Sequence, residues 1–169
     1  MIKVFLTNLG KYNEGYLIGE WLELPATQEQ IDETMAKIGI NEEYEEYFIT
    51  DYETNINIES GEYSNIDELN KIADELESLN EDDDIIRTIL SYTNNIQETI
   101  DIINRGDYII YWDCDDMVDV AYQIVEEYGY LNNVPEQVKM YFDYEAFARD
   151  LGIGGNFEAL DNSRYIQIL

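Results

Sequence analysis

The sequence contains no histidine, a single cysteine, two prolines and few basic residues. Without histidine the chain lacks the commonest general base and the imidazole ligand of zinc, which excludes Ser-His and Cys-His catalysis and most zinc sites. The single cysteine, Cys114, excludes an intrachain disulfide and favours a reducing, cytoplasmic location. No basic residue neighbours Cys114 in the sequence, so we interpret it as a packed small side chain rather than a nucleophile.

Long hydrophobic runs are also missing. No stretch approaches the ~18 consecutive apolar residues of a membrane-spanning helix, and the segment MIKVFLTNLGKYNEG lacks the features of a secretory signal. The scarcity of Lys and Arg argues against contact with anionic membranes or with nucleic-acid phosphates. We therefore expect a cytoplasmic protein that binds neither membranes nor nucleic acid directly.

Acidic side chains are present in large excess. The 169 residues include 38 Asp and Glu against 9 Lys and Arg, which gives a formal net charge of -29. Hydrophobic residues still make up 45%, with 15 Tyr and 5 Phe, which is enough for a folded core. So large an excess of one sign destabilises a compact chain by self-repulsion. Solubility explains this excess poorly, and a basic partner explains it better.

The hydrophobic pattern predicts an α+β protein, an elongated chain of three small modules. Residues 1–61 are expected to form an antiparallel sheet with one helix. Strands are predicted at 2–8, 16–24 and 44–52. Between the second and third strands, the capping-box pair Thr27 and Gln30 begins a helix that Gly39 ends.

The other two modules differ in their periodicity. Residues 62–105 predict helices alone: one capped by Ser64, one around 85–90, and one introduced by Asn94 or Asn95. Residues 106–169 predict an α+β module with a strand at 107–112, a helix at 116–128, a helix from Pro135 towards Leu151 ended by the glycines at 152–155, and a closing hairpin.

The acidic residues do not form a recognisable catalytic or metal site. Paired carboxylates serve glycosidases, but 38 acidic side chains make close pairs unavoidable. Asp113, Asp115 and Met117 fall at alternating positions of a possible calcium loop, yet Val118 stands where an EF-hand requires glycine. We expect no enzyme activity, no cofactor and no dedicated metal site. A carboxylate-dependent enzyme stays open as a rival that turnover on a glycoside panel would reveal.

The net negative charge can be compared with the charge per unit length of duplex DNA. B-form DNA carries one negative charge per ~1.7 Å of axis, so the net charge at that spacing spans roughly 49 Å, or about fifteen base pairs. A compact chain of this length is only ~40 Å across, so an elongated chain fits better. The segment NEEYEEYFITDYE, at 41–53, has six carboxylates and no Lys or Arg. We expect the partner to supply the basic residues.

Four blocks of sequence resemble the ArdA antirestriction family. They occur in family order and cover nearly the whole chain. The helical middle matches mainly through Ile66, Glu68, Leu69 and Asn70. The blocks are NLGKYNEG at 8–15 with Gly19 and Trp21, EEYEEY at 42–47 with DYE at 51–53, DCDDM at 113–117 with DVA at 119–121, and YFDY at 141–144 with Ala146 and RDL at 149–151.

The resemblance implies a function. Members of the family are encoded on conjugative plasmids and transposons. They resemble B-form DNA in shape and charge and occupy the DNA-binding groove of type I restriction-modification enzymes, which comprise a methyltransferase core with a specificity subunit. The family fold is three small domains in a curved rod, and members form homodimers through the C-terminal domain.

Acidity and expected exposure predict which residues stand for phosphates. The apolar content of the third module further predicts a dimer contact at Tyr108, Ile110 and Trp112. The predicted partner-binding carboxylates are Glu42, Glu43, Glu45, Glu46, Asp51, Glu53, Asp67, Glu68, Asp74, Glu75, Glu81, Asp82, Asp83, Asp84, Asp113, Asp115, Asp116, Asp119, Glu126 and Glu127.

Two alternative binding functions stay open. The first is a DNA mimic directed at another basic protein, such as a nucleoid or repair protein. The second is a plain acidic interaction module without DNA-like geometry. A pull-down from a bacterial lysate distinguishes the first, and a surface charge map the second.

Overall fold

The computed structural model describes residues 2–58 and 65–169, and the chain forms two compact units, Met1–Asp83 and Asp84–Leu169. The described residues form two three-stranded antiparallel sheets and eight helices. This confirms the predicted α+β class. The division into modules 1–61, 62–105 and 106–169 stays a prediction, and its first boundary lies outside the described residues.

The first unit is built on a sheet with the strand order β2-β1-β3. The strand predicted at 2–8 is confirmed as β1, and its alternating residues Ile2, Val4 and Leu6 are all buried. Helices α2 and α3 both pack on β2. The elements are β1 (Ile2–Asn8), α1 (Leu9–Asn13), β2 (Gly19–Leu24), α2 (Gln28–Lys37), β3 (Tyr47–Thr54) and α3 (Ile66–Leu79).

Local capping explains where the helices of the first unit begin and end. The predicted capping box of α2 is confirmed, with both Thr27 and Gln30 side chains bonded to backbone N–H groups. Gly39 follows α2 with φ +80, a left-handed conformation that glycine adopts readily. The cap predicted at Ser64 lies outside the described residues, and Asn65 caps α3 by accepting the Asp67 N–H at 2.8 Å.

The segment between β1 and β2 contains a short helix, α1. The Asn8 side chain accepts the Lys11 N–H at 2.9 Å. The same side chain donates to the carbonyls of Ile38 and Gly39 at 3.1 and 3.2 Å. Buried Asn8 therefore joins the end of β1 to the end of α2 and fixes the position at which α1 begins.

The second unit contains a sheet with the strand order β4-β6-β5. The predicted closing hairpin is confirmed by the antiparallel pairing of β5 with β6, and β4 pairs with the other side of β6. The elements from the unit boundary onward are α4 (Asp83–Thr93), α5 (Ile96–Arg105), β4 (Tyr108–Trp112), α6 (Met117–Glu127), α7 (Glu136–Lys139), α8 (Tyr144–Gly154), β5 (Phe157–Leu160) and β6 (Arg164–Ile168).

The single helix predicted from Pro135 towards Leu151 is wrong, because this segment forms two helices, α7 and α8. The Asp143 side chain accepts the Ala146 N–H at 2.9 Å and begins α8. An Asp that caps a new helix interrupts the preceding one. The predicted end of this segment among the glycines at 152–155 is confirmed, since α8 ends at Gly154 and Gly155 is its C-cap.

Buried residues lie on both faces of the β4-β6-β5 sheet. On one face Tyr111 joins a core cluster with Cys114, Val120 and Ile124, against which Phe147 and Leu151 of α8 pack. On the other face the β6 residues Arg164, Ile166 and Ile168 are all buried. Arg164 Nη2 bonds Asp84 of α4 at 2.7 Å, so the start of α4 lies against this face.

Candidate functional site

The acidic loop, residues 41–46, follows α2 and leads into β3. Its four glutamates, Glu42, Glu43, Glu45 and Glu46, are all exposed. Across residues 2–58 and 65–169, no Lys or Arg forms an ion pair with any of them. These four negative charges face solvent without an internal counterion.

Backbone hydrogen bonds hold the acidic loop although it has no regular secondary structure. The Asn41 side chain accepts the N–H groups of Glu43 and Tyr44 at 2.8 and 3.1 Å. The Asn41 N–H donates to the Tyr44 carbonyl at 2.9 Å, and the Leu9 N–H donates to the Glu46 carbonyl at 3.0 Å. The loop is therefore a closed turn that is attached to the start of α1.

The side chain at the centre of the loop contacts α1. The Tyr44 hydroxyl donates to Glu14 Oε1 at 2.8 Å, and Lys11 Nζ donates to the Tyr44 oxygen at 2.6 Å and to Glu14 Oε2 at 3.0 Å. The hydrogen bonds from Tyr44 and Lys11 lower the pKa of Glu14, while those to Tyr44 and Glu14 raise the pKa of Lys11. Lys11 thus neutralises Glu14 rather than a loop glutamate.

Asp51 and Glu53 lie on the exposed face of the first sheet. In the register of β1 with β3, Asp51 is opposite Phe5 and Glu53 is opposite Lys3. Lys3 forms its ion pair with Glu23 of β2 instead, at 3.7 Å. This face therefore carries more negative than positive charge.

Helix α3 carries a second exposed group of carboxylates. Asp67 and Glu68 lie in its first turn, where the helix dipole favours negative charge, so they also stabilise the helix. Asp74 is exposed, whereas Glu75 is partly buried and pairs with Lys71 at 3.7 Å. The charge of Glu75 is partly compensated within the helix.

The predicted run at 81–84 is not uniform. Glu81 is partly buried, Asp82 and Asp83 are exposed, and Asp83 accepts the Asn55 amide at 3.1 Å. Asp84 is only 8% exposed and lies next to Arg164. Its Oδ2 accepts Arg164 Nη2 at 2.7 Å and the Asp161 N–H at 3.2 Å. Because this charge is neutralised inside the second unit, we leave Asp84 out of the proposed contact surface.

The 113–119 segment precedes α6 and carries exposed Asp113, Asp115 and Asp116, with Asp119 partly buried. Asp116 caps α6 by accepting the Val118 and Asp119 N–H groups. Asp119 accepts the Asp115 N–H at 2.9 Å. Asp116 and Asp119 fix the local backbone and also contribute negative charge. Glu126 and Glu127, at the end of α6, are exposed and add further negative charge.

Cys114 lies within the 113–119 segment and is 1% exposed. Burial and the neighbouring carboxylates, of which Asp119 contributes most, raise the pKa of its thiol. A protonated, buried thiol is a poor nucleophile. Within the described part of the chain no group of side chains could hold a metal ion, and none of the described helices is long and apolar enough to cross a membrane.

The residues predicted for a dimer contact differ in exposure. Tyr108 and Ile110 are partly buried, while Trp112 is 59% exposed and its ring centroid lies 5.2 Å from the Arg164 guanidinium. More exposed apolar side chains, Met140 at 76% and Tyr141 at 81%, follow α7. The sequence prediction placed both residues inside one continuous helix and did not identify them as exposed. A helix cap at Asp143 was the sequence signal that could have placed them in a loop between two helices.

A comparison with known protein families identifies the family of this chain. The family model described as "Antirestriction protein (ArdA)" matches residues 4–165, which include the acidic loop and the 113–119 segment. A search of curated proteins found no match. The resemblance of the four sequence blocks is confirmed by this match. The chain belongs to the ArdA family of antirestriction proteins, which are inhibitors and not enzymes.

Proposed function

We propose that this protein inhibits type I restriction-modification enzymes by occupying their DNA-binding groove, with its carboxylates in the place of DNA phosphates. Membership of the antirestriction family supports a restriction enzyme as the target. The observation that carries the mechanism is the acidic loop, whose four exposed glutamates have no Lys or Arg partner in the described chain.

Electrostatics supports a basic groove as the binding site. An enzyme that holds duplex DNA presents Lys and Arg to an array of phosphates. An array of unpaired carboxylates meets the same cations, and its field attracts them before contact. The attraction extends over ~8 to 10 Å at ordinary ionic strength, so association depends on salt. The methyltransferase core with its specificity subunit provides such a groove.

The same charge excludes direct nucleic-acid binding. With a net charge of -29 the protein repels phosphates. Inhibition would therefore occur on the enzyme and not on the DNA. A protein carried by a conjugative plasmid or transposon would act in the cytoplasm, where incoming unmodified DNA meets the enzyme.

The direct test is cleavage of unmodified DNA by a purified type I enzyme. Addition of the protein is expected to protect the DNA in proportion to its ratio to enzyme. Polyglutamate at equal total charge is the matched control, and it is expected to protect far less because it lacks a fixed arrangement of charge. Equal protection by polyglutamate would favour a plain acidic interaction module, and no protection at saturating protein would contradict the proposal.

A pull-down from a bacterial lysate addresses the identity of the target. We expect subunits of a type I enzyme to be the main captured proteins, and to be released by added duplex DNA. Recovery of a nucleoid or repair protein in their place would indicate that the protein mimics DNA towards another basic target.

The protein is further proposed to form a homodimer through its C-terminal module, 106–169. Trp112, with Tyr108 and Ile110 beside it, and the exposed pair Met140 and Tyr141 provide apolar surface there. Pairing would double the imitated length to roughly thirty base pairs at the charge spacing of DNA. Light scattering at micromolar concentration is expected to give the dimer mass, and the mass of a monomer would contradict it.

A further inference from the structure

Like charges repel, yet the acidic loop is held in one closed conformation. Adjacent glutamates flank Tyr44 on both sides in the order Glu42, Glu43, Tyr44, Glu45, Glu46. Besides the backbone bonds to Asn41 and Leu9, the side-chain contacts that join the loop to α1 are made by Tyr44. The position of the four carboxylates therefore depends on where the Tyr44 ring is held.

Gly10 provides the surface on which that ring lies. A Cβ at position 10 would overlap Cδ1 of Tyr44 and lie 3.1 Å from Cε1. Position 10 lies inside α1 and Gly10 has no positive φ, so backbone conformation does not require glycine there. The close approach of the aromatic ring does require it. Gly10 thus permits a contact that another residue would block.

Lys11 is a cation in a part of the protein whose negative charge is expected to matter. Its Nζ lies 3.9 Å from the Tyr44 ring centroid, 2.6 Å from the hydroxyl oxygen and 3.0 Å from Glu14 Oε2. The positive charge of a lysine beside an anionic binding surface lowers the attraction for a basic partner. Some other contribution of this lysine to binding has to offset that loss. The contribution visible in its contacts is the attachment of Tyr44.

We propose that Gly10, Lys11, Glu14 and Tyr44, together called the loop latch, are positioning residues that hold the four glutamates of the acidic loop ready for a basic partner. This inference rests on the proposed function, because it concerns how that function's binding surface is preorganised. A preorganised array loses less conformational entropy on binding than a mobile one. The latch therefore raises affinity without adding negative charge.

For Lys11→Met, the change in charge and the loss of the latch predict opposite changes in binding affinity. Removing a cation makes the protein more negative, so electrostatics alone predicts tighter binding to a basic groove. The latch predicts binding weaker by about three- to tenfold, the range expected when ordered side chains become mobile. The matched control is Lys71→Met, since Lys71 is an exposed lysine of α3 outside the latch. It is expected to bind at least as tightly as the unchanged protein.

Tyr44→Phe tests the same device without altering charge. It removes the hydroxyl that accepts from Lys11 and donates to Glu14. Binding to a purified type I methyltransferase core is measured at several salt concentrations for this variant and for Tyr92→Phe, which changes an exposed ring of α4. Tyr44→Phe is expected to weaken binding about three- to tenfold with an unchanged salt dependence, because the number of charges is the same. Tyr92→Phe is expected to have no effect.

Amide hydrogen exchange reports on the loop without a partner. In Lys11→Met and Tyr44→Phe, exchange at Leu9, Glu43 and Tyr44 is expected to accelerate, while amides of α5 are unchanged. Unaltered exchange, or binding by Lys11→Met as tight as by Lys71→Met, would overturn the latch. If the unchanged protein does not bind the core, the proposed function fails and so does the latch's role in recognition. The exchange data still decide whether these residues hold the loop.

Discussion

Asp84 and Glu42 carry the same charge but have opposite surroundings. Asp84 is buried against Arg164, and Glu42 is exposed with no basic residue beside it in the described chain. Removing one partner of a buried ion pair is strongly destabilising because it leaves an uncompensated charge, whereas an exposed carboxylate stays hydrated and is free to attract external cations. The role of each acidic residue follows from its contacts and not from its type.

Replacing Asp84 by Asn is expected to lower the free energy of unfolding by about 3 to 5 kcal/mol, since it removes the charge of one partner of a buried ion pair. Urea denaturation measures the change. Asp101→Asn, on the exposed face of α5, is the control and is expected to stay within about 0.5 kcal/mol. A stable Asp84→Asn protein with reduced inhibition would show that Asp84 contacts the partner.

Glu14 gives the loop latch a dependence on pH. Hydrogen bonds from Tyr44 and Lys11 lower the pKa of Glu14 below its ordinary value of 4.5. A carboxyl with a depressed pKa stabilises the folded arrangement above its ordinary value, and that contribution is lost as the pH falls through the folded value. The Tyr44 ring resonances in NMR spectra are therefore expected to shift with a midpoint below pH 4.5. A midpoint at or above it would contradict the observed hydrogen bonds.

At the scale of elements, the sequence predicted those whose signals are local. The alternation of β1 and the capping box of α2 depend on neighbouring residues, and both are confirmed. The helix expected over 135–151 failed because apolar spacing continued across Asp143, whose side chain begins a new helix. Periodicity does not detect a cap inside a run of suitable spacing.

The acidic site was predictable in composition but not in geometry. Exposure of the four loop glutamates agrees with what their charge suggests. The burial of Asp84 depends on Arg164, and the attachment of the loop depends on Tyr44 meeting Lys11. Each of these contacts joins residues far apart in the sequence, so neither short motifs nor spacing could reveal it.

The acidic loop is expected to act as a unit. Asp115→Asn alone is expected to weaken inhibition by less than about tenfold, since an exposed ion pair contributes roughly 0 to 1 kcal/mol and tenfold requires about 1.4 kcal/mol. Changing Glu42, Glu43, Glu45 and Glu46 together to Gln is expected to weaken it about thirtyfold, since four contributions of about 0.5 kcal/mol each sum to about 2 kcal/mol. Protection of unmodified DNA measures both, with folding checked by circular dichroism.

A single essential carboxylate would contradict this distributed contribution of charge. A catalytic or single-contact site loses orders of magnitude when one residue changes. If one folded single variant lost all protection, the charge would not be distributed, and a discrete site would have to be sought.

At the scale of the whole molecule, the basic residues are mostly occupied. Within the described residues, eight of the nine Lys and Arg lie in ion pairs with carboxylates, and none of these partners belongs to the acidic loop or the 113–119 segment. These ion pairs therefore do not compensate the charge of the acidic loop or of the 113–119 segment. Such a molecule stays soluble and attracts a cationic partner.

Competition for a purified type I methyltransferase core tests the account most directly. Labelled duplex DNA is bound to the core, and the protein is added at several salt concentrations. We expect complete displacement of the DNA, weaker binding of the protein as salt rises, and no shift of naked duplex by the protein alone. A ternary complex of core, DNA and protein, or a gel shift of DNA by the protein itself, would contradict the proposal that its carboxylates take the place of phosphates.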